Sequence, residues 1–387
     1  MRIGFNLFNI VPGQGKGAGA MVYIYELIKH LGEVAPENKY LLFISPVSQS
    51  LFTELHTRHT EIITLPLDSR RKWLRPFVEQ LFMPWLVKRY QLDVLHSPFS
   101  TAPLFCPSFN VMSLLDTVYF FYKEHLNVRR TIKARYYEMV QAIMARRCDA
   151  IITISEFSKS EIIRQLGVSS DKIFVTLLSP RKGAGIIPSS QIKPNTDVDA
   201  SVILTAIASS MPHKNMIRLI EALGIVVSKD VGRVELHIIG QIPIQTTEGV
   251  GQKELEQIAR ANGVQENIHI LGYVSDEELD ALYCRASALV FPSFYEGFGI
   301  PPLEAMQFGV PVVCAKAASL PEVVGPAGLY FDPYDVNDMA EKIVCIIKDR
   351  GLRERLVETG YEWIKRYSWE KTARETLAVY HAICNKR

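Results

Sequence analysis

The stretch of residues 291–304 constrains the fold of this chain more than any other part of it. An apolar run, 286–291, leads into it and predicts a buried strand. Pro301 and Pro302 suit the first turn of a helix, and the valine-rich run 312–314 resumes as strand. The pattern of strand, glycine-bearing turn, helix and strand predicts a parallel α/β sheet.

Two carboxylates, Glu296 and Glu304, lie on either side of the predicted helix start. A helix N-terminus binds anions, and Gly297 and Gly299 leave room for a ligand to approach the backbone. Because carboxylates accept hydrogen bonds from hydroxyl groups, a ligand with an anionic centre and hydroxyl groups on both sides fits best. A nucleotide sugar is such a ligand. The alternative is a capped helix in which both carboxylates only favour the positive end of the dipole.

Length and charge predict two domains with different partners. A chain of 387 residues is too long for one ordinary core. Residues 1–190 carry 23 Lys or Arg against 15 Asp or Glu, a net charge of +8, and the remaining residues carry 20 against 26, a net charge of −6. The proline-, glycine- and serine-rich segment 181–200 predicts a linker between domains 1–180 and 201–366, with a terminal helix over 367–387.

The six cysteines are scattered and form no Cys-x-x-Cys pair, which favours reduced thiols over a disulfide framework or a zinc site. No charged-then-apolar leader precedes the first strand, and no apolar run reaches the roughly 18 residues of a membrane span. We therefore expect a cytoplasmic protein, with the inner face of the membrane as an alternative location.

With Pro292-Ser293, the double proline and the later segment 319–323, the stretch resembles the motif of retaining glycosyltransferases of family 4, which have the GT-B fold. The resemblance implies two doubly wound, Rossmann-like domains facing one another across a cleft, with the C-terminal helix crossing back to the first domain. It implies transfer of a hexose-type sugar from a nucleotide-diphosphate donor, with retention of configuration, in cell-surface glycan synthesis. It also implies no cofactor and no metal.

The resemblance implies roles for individual residues. Lys214 would neutralise the leaving diphosphate, Glu296 with the backbone of Phe298 and Gly299 would hold the sugar and diphosphate, and Glu304 would hold the ribose hydroxyls. The full set of expected donor-binding residues is Gly17, Gly19, Ser209, Lys214, Gly272, Tyr273, Val274, Glu296, Gly297, Phe298, Gly299, Ile300 and Glu304.

The chain departs from the family pattern at two places. Leu115 stands where the family often has a histidine before Asp116, and Ala208-Ser209 stand where many members have an arginine. Arg181, Lys182 or the first domain are alternatives for the missing cation. These departures favour one rival, a nucleotide-sugar-binding protein without turnover. A GT-B-fold epimerase or phosphorylase is a second alternative.

Two polar residues at predicted strand ends of the first domain, His96 and Asp116, are candidates for acceptor binding, and Asp116 is also a candidate catalytic residue. A single histidine is more often structural, so that interpretation of His96 stays open. The only Asp-x-Asp, Asp197-Val-Asp199, lies in the predicted linker, where solvated acids are more plausible than metal ligands.

Residues 69–90 combine aromatic and basic side chains at helical spacing. Such a helix can lie on an anionic membrane surface, although an aromatic stripe is more often part of a core and Pro76 and Pro84 divide the helix. The expected acceptor is a saccharide or a lipid-linked saccharide. Nucleic acid is not expected as a partner, because the net charge is only +2.

Overall fold

The computed structural model of the chain describes residues 1–12, 18–125, 132–181, 201–246 and 249–385, and the side chains of all of these except 18, 123–125 and 132–137. The chain divides into two compact units, Met1–Ser179 with Tyr367–Arg387, and Pro180–Arg366. Of the predicted linker 181–200, only Arg181 lies within the described residues, and it is part of the second unit.

The first unit contains a seven-stranded sheet in which the paired strands run parallel, with strand order β3-β2-β1-β4-β5-β6-β7 among the described residues. Its strands are β1 Arg2–Asn6, β2 Lys39–Ile44, β3 Thr60–Thr64, β4 Val94–Ser97, β5 Phe109–Ser113, β6 Ala150–Thr153 and β7 Ile173–Val175. Its first helices are α1 Ala18–Val34, α2 Gln49–Phe52, α3 Leu74–Phe77, α4 Met83–Arg89, α5 Val118–His125, α6 Ile132–Arg147 and α7 Glu156–Leu166.

The second unit contains a six-stranded parallel sheet with strand order β10-β9-β8-β11-β12-β13 among the described residues. Its strands are β8 Val202–Ile207, β9 Val234–Ile239, β10 Ile268–Gly272, β11 Ala288–Phe291, β12 Val312–Ala315 and β13 Gly328–Phe331. Its helices are α8 Met216–Val227, α9 Gln252–Ala261, α10 Asp276–Arg285, α11 Ile300–Gln307, α12 Leu320–Val324, α13 Val336–Lys348 and α14 Arg350–Ile364.

The predicted fold class, two Rossmann-like α/β domains, is confirmed. Strands β11 and β12 are buried along their whole length, which explains why both read as continuous apolar runs rather than alternating ones. In such sheets ligands bind beyond the carboxyl ends of the strands where the strand order reverses. In the second unit that point lies between β8 and β11.

The last helix, α15 Trp369–Cys384, belongs to the first unit and packs against α1. Its N-cap Ser368 accepts a hydrogen bond from the amide of Lys371, and the Thr372 hydroxyl donates to the carbonyl of Leu177 at 2.6 Å. The part of the chain that the structure describes contains no helix with both the length and the apolar composition to cross a membrane.

Candidate functional site

The loops after β8 and β11 meet at the switch point of the second sheet. Asn215, in a left-handed conformation (φ 57°), donates from Nδ2 to the carbonyls of Pro292 at 3.1 Å and Pro333 at 2.9 Å. The amide of Phe294 donates to the carbonyl of His213 at 2.8 Å. These bonds fix the position of Lys214 relative to the turn that carries Glu296.

Lys214 and Glu296 form a partly buried ion pair at this point. Lys214 Nζ lies 2.7 Å from Glu296 Oε1, and the two side chains are 17% and 14% exposed. Nζ also lies 5.2 Å from the centre of the Phe291 ring. Burial alone would raise the pKa of Glu296, but Lys214 and, to a smaller extent, His213 and the Ser293 hydroxyl together outweigh burial and hold that pKa below its ordinary value. The site therefore presents an ionised carboxylate beside a cation at neutral pH.

The turn before α11 is shaped by Gly299 and Ser319. Gly299 has φ 104°, and a Cβ there would lie 2.8 Å from Leu320 Cδ2, so another residue would be strained and crowded. The buried Ser319 hydroxyl lies 2.9 Å from the carbonyl oxygen of Glu296 and 2.8 Å from that of Phe298, and can donate to either. The predicted start of the helix is confirmed, since α11 begins at Ile300 with prolines in its first turn. Glu296 precedes that start and Glu304 follows it.

Glu304 does not point into the site as an unpaired carboxylate. Arg181 donates from Nε to Glu304 Oε1 at 2.8 Å, and the Tyr283 hydroxyl lies 3.5 Å from Oε2. The same guanidinium pairs with Asp280 at 2.7 Å and Asp276 at 3.0 Å, one turn apart on α10. Burial raises the pKa of Glu304, and the contact with Arg181 offsets only part of this increase. Any hydroxyl that binds Glu304 must share the carboxylate with Arg181 or displace it.

Sequence reasoning did not identify this cluster. Arg181 is 123 positions from Glu304, so no spacing connects them. The sequence suggested Arg181 as an alternative cation for the diphosphate, whereas the structure pairs it with Glu304 and the two aspartates. An arginine in a linker, well away from its acidic partners in sequence, leaves no local signal.

The expected donor-binding residues Gly272, Tyr273 and Val274, which the family resemblance assigns to the base, lie at the end of β10 and directly after it. Gly272 has φ 73°, and its carbonyl accepts from the amide of Gly240 at 2.8 Å. Tyr273 is 80% exposed, and Val274 is half-buried. Ser275 then caps α10 and forms a capping box with Glu278. On the β8 side, the Ser209 hydroxyl accepts from the amide of Met211 at 3.3 Å.

The candidate residues of the first unit are Gly17, Gly19, His96 and Asp116. Gly17 lies outside the described residues, as do Asp197 and Asp199, and Gly19 is exposed in the first turn of α1. Asp116 follows β5 and accepts from the amide of Val118 at 3.2 Å.

His96 is fully buried at the end of β4. Its Nδ1 lies 2.6 Å from the Tyr380 hydroxyl and its Nε2 lies 2.7 Å from the Ser113 hydroxyl. Burial lowers the pKa of His96 to about 3. Since both ring nitrogens are engaged inside the unit, the geometry favours the structural interpretation of His96 over acceptor binding.

Comparisons with known proteins agree with this arrangement. The family model of group 1 glycosyl transferases matches residues 190–363, and the model of glycosyltransferase family 4 matches residues 17–176. O-antigen chain mannosyltransferase B of Escherichia coli is 36% identical over 239 residues, which span 60% of each chain. O-antigen chain mannosyltransferase RfbU of Salmonella typhimurium is 28% identical over 82% of this chain and 84% of its own.

Among solved structures, Anabaena HepE in complex with UDP and glucose superposes with a TM-score of 0.72 at 19% identity, covering 98% of both chains. At that identity the likeness shows the fold alone. Together the two family models cover both units. The chain belongs to the group 1, family 4 glycosyltransferases, with the GT-B fold.

Proposed function

We propose that this protein is a hexosyltransferase that moves a sugar, with retention, from a nucleoside diphosphate to a saccharide or lipid-linked saccharide in cell-surface glycan synthesis. The observation that carries the proposal is the Lys214–Glu296 ion pair at the switch point of the second sheet. The two relatives named above are both O-antigen chain mannosyltransferases, which favours mannose as the sugar. The preference for mannose concerns the identity of the donor sugar and not the mechanism of transfer.

In this proposal Lys214 stabilises the diphosphate as it leaves. Negative charge develops on the diphosphate in the transition state, and a preorganised cation at that point lowers the barrier. The start of α11, preceded by Gly297, Phe298 and Gly299, supplies further positive potential. With a cation and a helix terminus in place, the reaction requires no divalent metal.

Glu296 and Glu304 hold the hydroxyl groups of the donor. Glu296 stays ionised because Lys214 is 2.7 Å away, so it accepts hydrogen bonds from the sugar. Glu304 accepts from the ribose, and Arg181 fixes the orientation of its carboxylate. The segment 272–274 takes the base, Ser209 and Ile300 border the diphosphate, and Asp116 is the candidate carboxylate of the first unit.

Thermal stabilisation by nucleotides tests the donor site. A ligand that binds only the folded state raises the unfolding temperature, and at one hundred times its Kd it adds about 2.7 kcal/mol. We expect one of uridine, guanosine, adenosine or thymidine diphosphate to raise the unfolding temperature, equally with and without magnesium.

The variant Glu304→Ala should lose most of that shift, whereas Glu358→Ala, which removes an exposed glutamate from α14 of the same unit, should keep it. An unchanged shift in Glu304→Ala would remove Glu304 from the site. No shift with any nucleotide would contradict donor binding as a whole.

We also propose that the first unit associates with an anionic membrane through the segment 73–89. Trp73, Phe77, Leu81 and Trp85 are spaced four residues apart and are 70%, 49%, 63% and 48% exposed. The opposite side of the segment, including Leu74, Val78 and Leu86, is buried. Arg70, Arg71, Lys72, Arg75, Lys88 and Arg89 flank the exposed side chains. Aromatic and basic groups together match the boundary between lipid head groups and acyl chains.

A further inference from the structure

Three potential metal ligands lie together on one face of the second sheet. Glu235 and His237 are two residues apart on β9, so their side chains point to the same face. His269, on β10, is the register partner of His237. The three residues come from the edge strand and its neighbour. No local sequence pattern connects them, because 32 positions separate the two histidines.

Their donor atoms converge without bonding to one another. Glu235 Oε2 lies 3.7 Å from His237 Nε2 and 3.6 Å from His269 Nε2, and one donor atom from each residue lies within 4.8 Å of the others. Both distances exceed those of hydrogen bonds. Zinc binds imidazole nitrogen at about 2.0–2.1 Å, which sets donor atoms roughly 3.3–3.6 Å apart in a tetrahedral site. A small side-chain movement therefore suffices for all three to reach one ion.

The geometry of the cluster suits a cation. His269 Nε2 is buried and has no hydrogen-bond partner among the described residues. Arg233 engages the other carboxylate oxygen, Oε1, at 2.9 Å, which leaves Oε2 facing the imidazoles. His269 is 41% exposed, so water can complete the coordination.

We propose that Glu235, His237 and His269 form a binding site for a divalent transition-metal ion; a two-histidine, one-carboxylate set suits zinc and also iron(II). The ion ties the edge strand β10 to β9. The cluster lies before the carboxyl ends of these strands, whereas the expected donor-site residues lie at strand ends or beyond them. The proposal is therefore independent of the proposed transferase activity.

Metal titration of the full chain tests the site. The protein, stripped with EDTA, is titrated with zinc chloride and, separately, with cobalt chloride in a Cys284→Ser background, because the exposed Cys284 thiol is a competing ligand. We expect zinc to raise the unfolding temperature and cobalt to give the visible absorption of a four-coordinate nitrogen and oxygen site. Magnesium should do neither.

Two variants and a control decide the outcome. His269→Ala should lower zinc affinity at least about tenfold. Loss of a residue that only hydrogen-bonds to a metal ligand already lowers metal affinity by about that factor. Glu235→Gln keeps the size of the side chain and should also weaken zinc binding. It tests the site even if His269→Ala does not fold. His56→Ala, which removes an exposed histidine of the first unit, should leave both signals unchanged. No response to zinc or cobalt, or an equal response in His269→Ala, would overturn the site.

Discussion

At the residue scale, His96 shows how burial opposes the protonation of a titratable side chain. Its ring nitrogens meet the hydroxyls of Tyr380 and Ser113, and Ser113 also lies 2.8 Å from the Tyr23 hydroxyl. In this network the imidazole is neutral, and burial opposes a second ring proton because charge is not solvated there. The unfolded chain exposes the same ring to water, where its pKa is about 6.5.

This difference predicts a pH dependence of stability. Because the folded pKa is about 3, the unfolded state binds more protons between pH 6.5 and pH 3, and stability falls as pH drops through that window. His213, whose pKa burial lowers to about 4, adds in the same direction. A full proton of difference costs about 1.4 kcal/mol per pH unit.

Urea unfolding at several pH values measures how the free energy of unfolding changes with pH. In His96→Asn the free energy of unfolding should depend less steeply on pH between pH 6 and pH 4. The slope should decrease by an amount that corresponds to at most one proton. His381→Asn, which changes an exposed histidine of α15, should keep the wild-type slope. A slope in His96→Asn equal to that of the wild type would mean that His96 is protonated in the fold.

At the scale of elements, local chemistry was predictable from the sequence and long-range pairing was not. The capping serines Ser155 and Ser275 and the proline-led start of α11 follow from short-range rules, and the structure has all three. The apolar spacing predicts a first helix from about residue 21 to 31, and in the structure this helix extends over Ala18–Val34. Partners such as Tyr380 and His96, 284 positions apart, depend on the complete fold.

The packing of the segment 69–90 was also not predictable from the sequence alone. Pro76 lies in the four-residue helix α3 and Pro84 in the first turn of α4, where a missing amide is tolerated, and a π-helical turn, Val78–Phe82, joins them. The sequence alone left open whether the aromatic stripe was core or surface. Its exposure favours the proposed membrane contact, since large apolar surfaces on a folded unit mark interaction sites.

Vesicle co-sedimentation tests that contact. We expect binding to vesicles with an anionic lipid, weaker binding to neutral vesicles, and release by salt, because both burial and charge contribute. Trp73→Ser with Trp85→Ser should reduce binding at least about tenfold, since each loses exposed apolar area. Ile244→Ser, a change at an exposed apolar residue of the second unit, should have no effect. Equal binding by the double variant would exclude this segment as the anchor.

At the scale of the whole molecule, both units repeat one design. Each sheet reverses its strand order beside its first strand, β1 or β8, and the polar candidates follow strand ends there. The pattern around residues 286–314 predicted a parallel α/β sheet, and the resemblance to family 4 glycosyltransferases implied two Rossmann-like domains. The sequence did not predict the pairing of Arg181 with Glu304, nor the cluster on β9 and β10, because both join residues without a shared local pattern.

The most direct test of the central claim is to measure nucleoside diphosphate release from nucleotide-activated mannose and glucose, with and without a lipid-diphosphate-linked saccharide acceptor. We predict release that depends on the acceptor and a product with the donor's anomeric configuration. In Lys214→Ala the turnover number should fall at least about 100-fold. Binding without release would identify a nucleotide-sugar-binding protein. A changed nucleotide sugar without acceptor, an inverted product, or full turnover in Lys214→Ala would contradict the account.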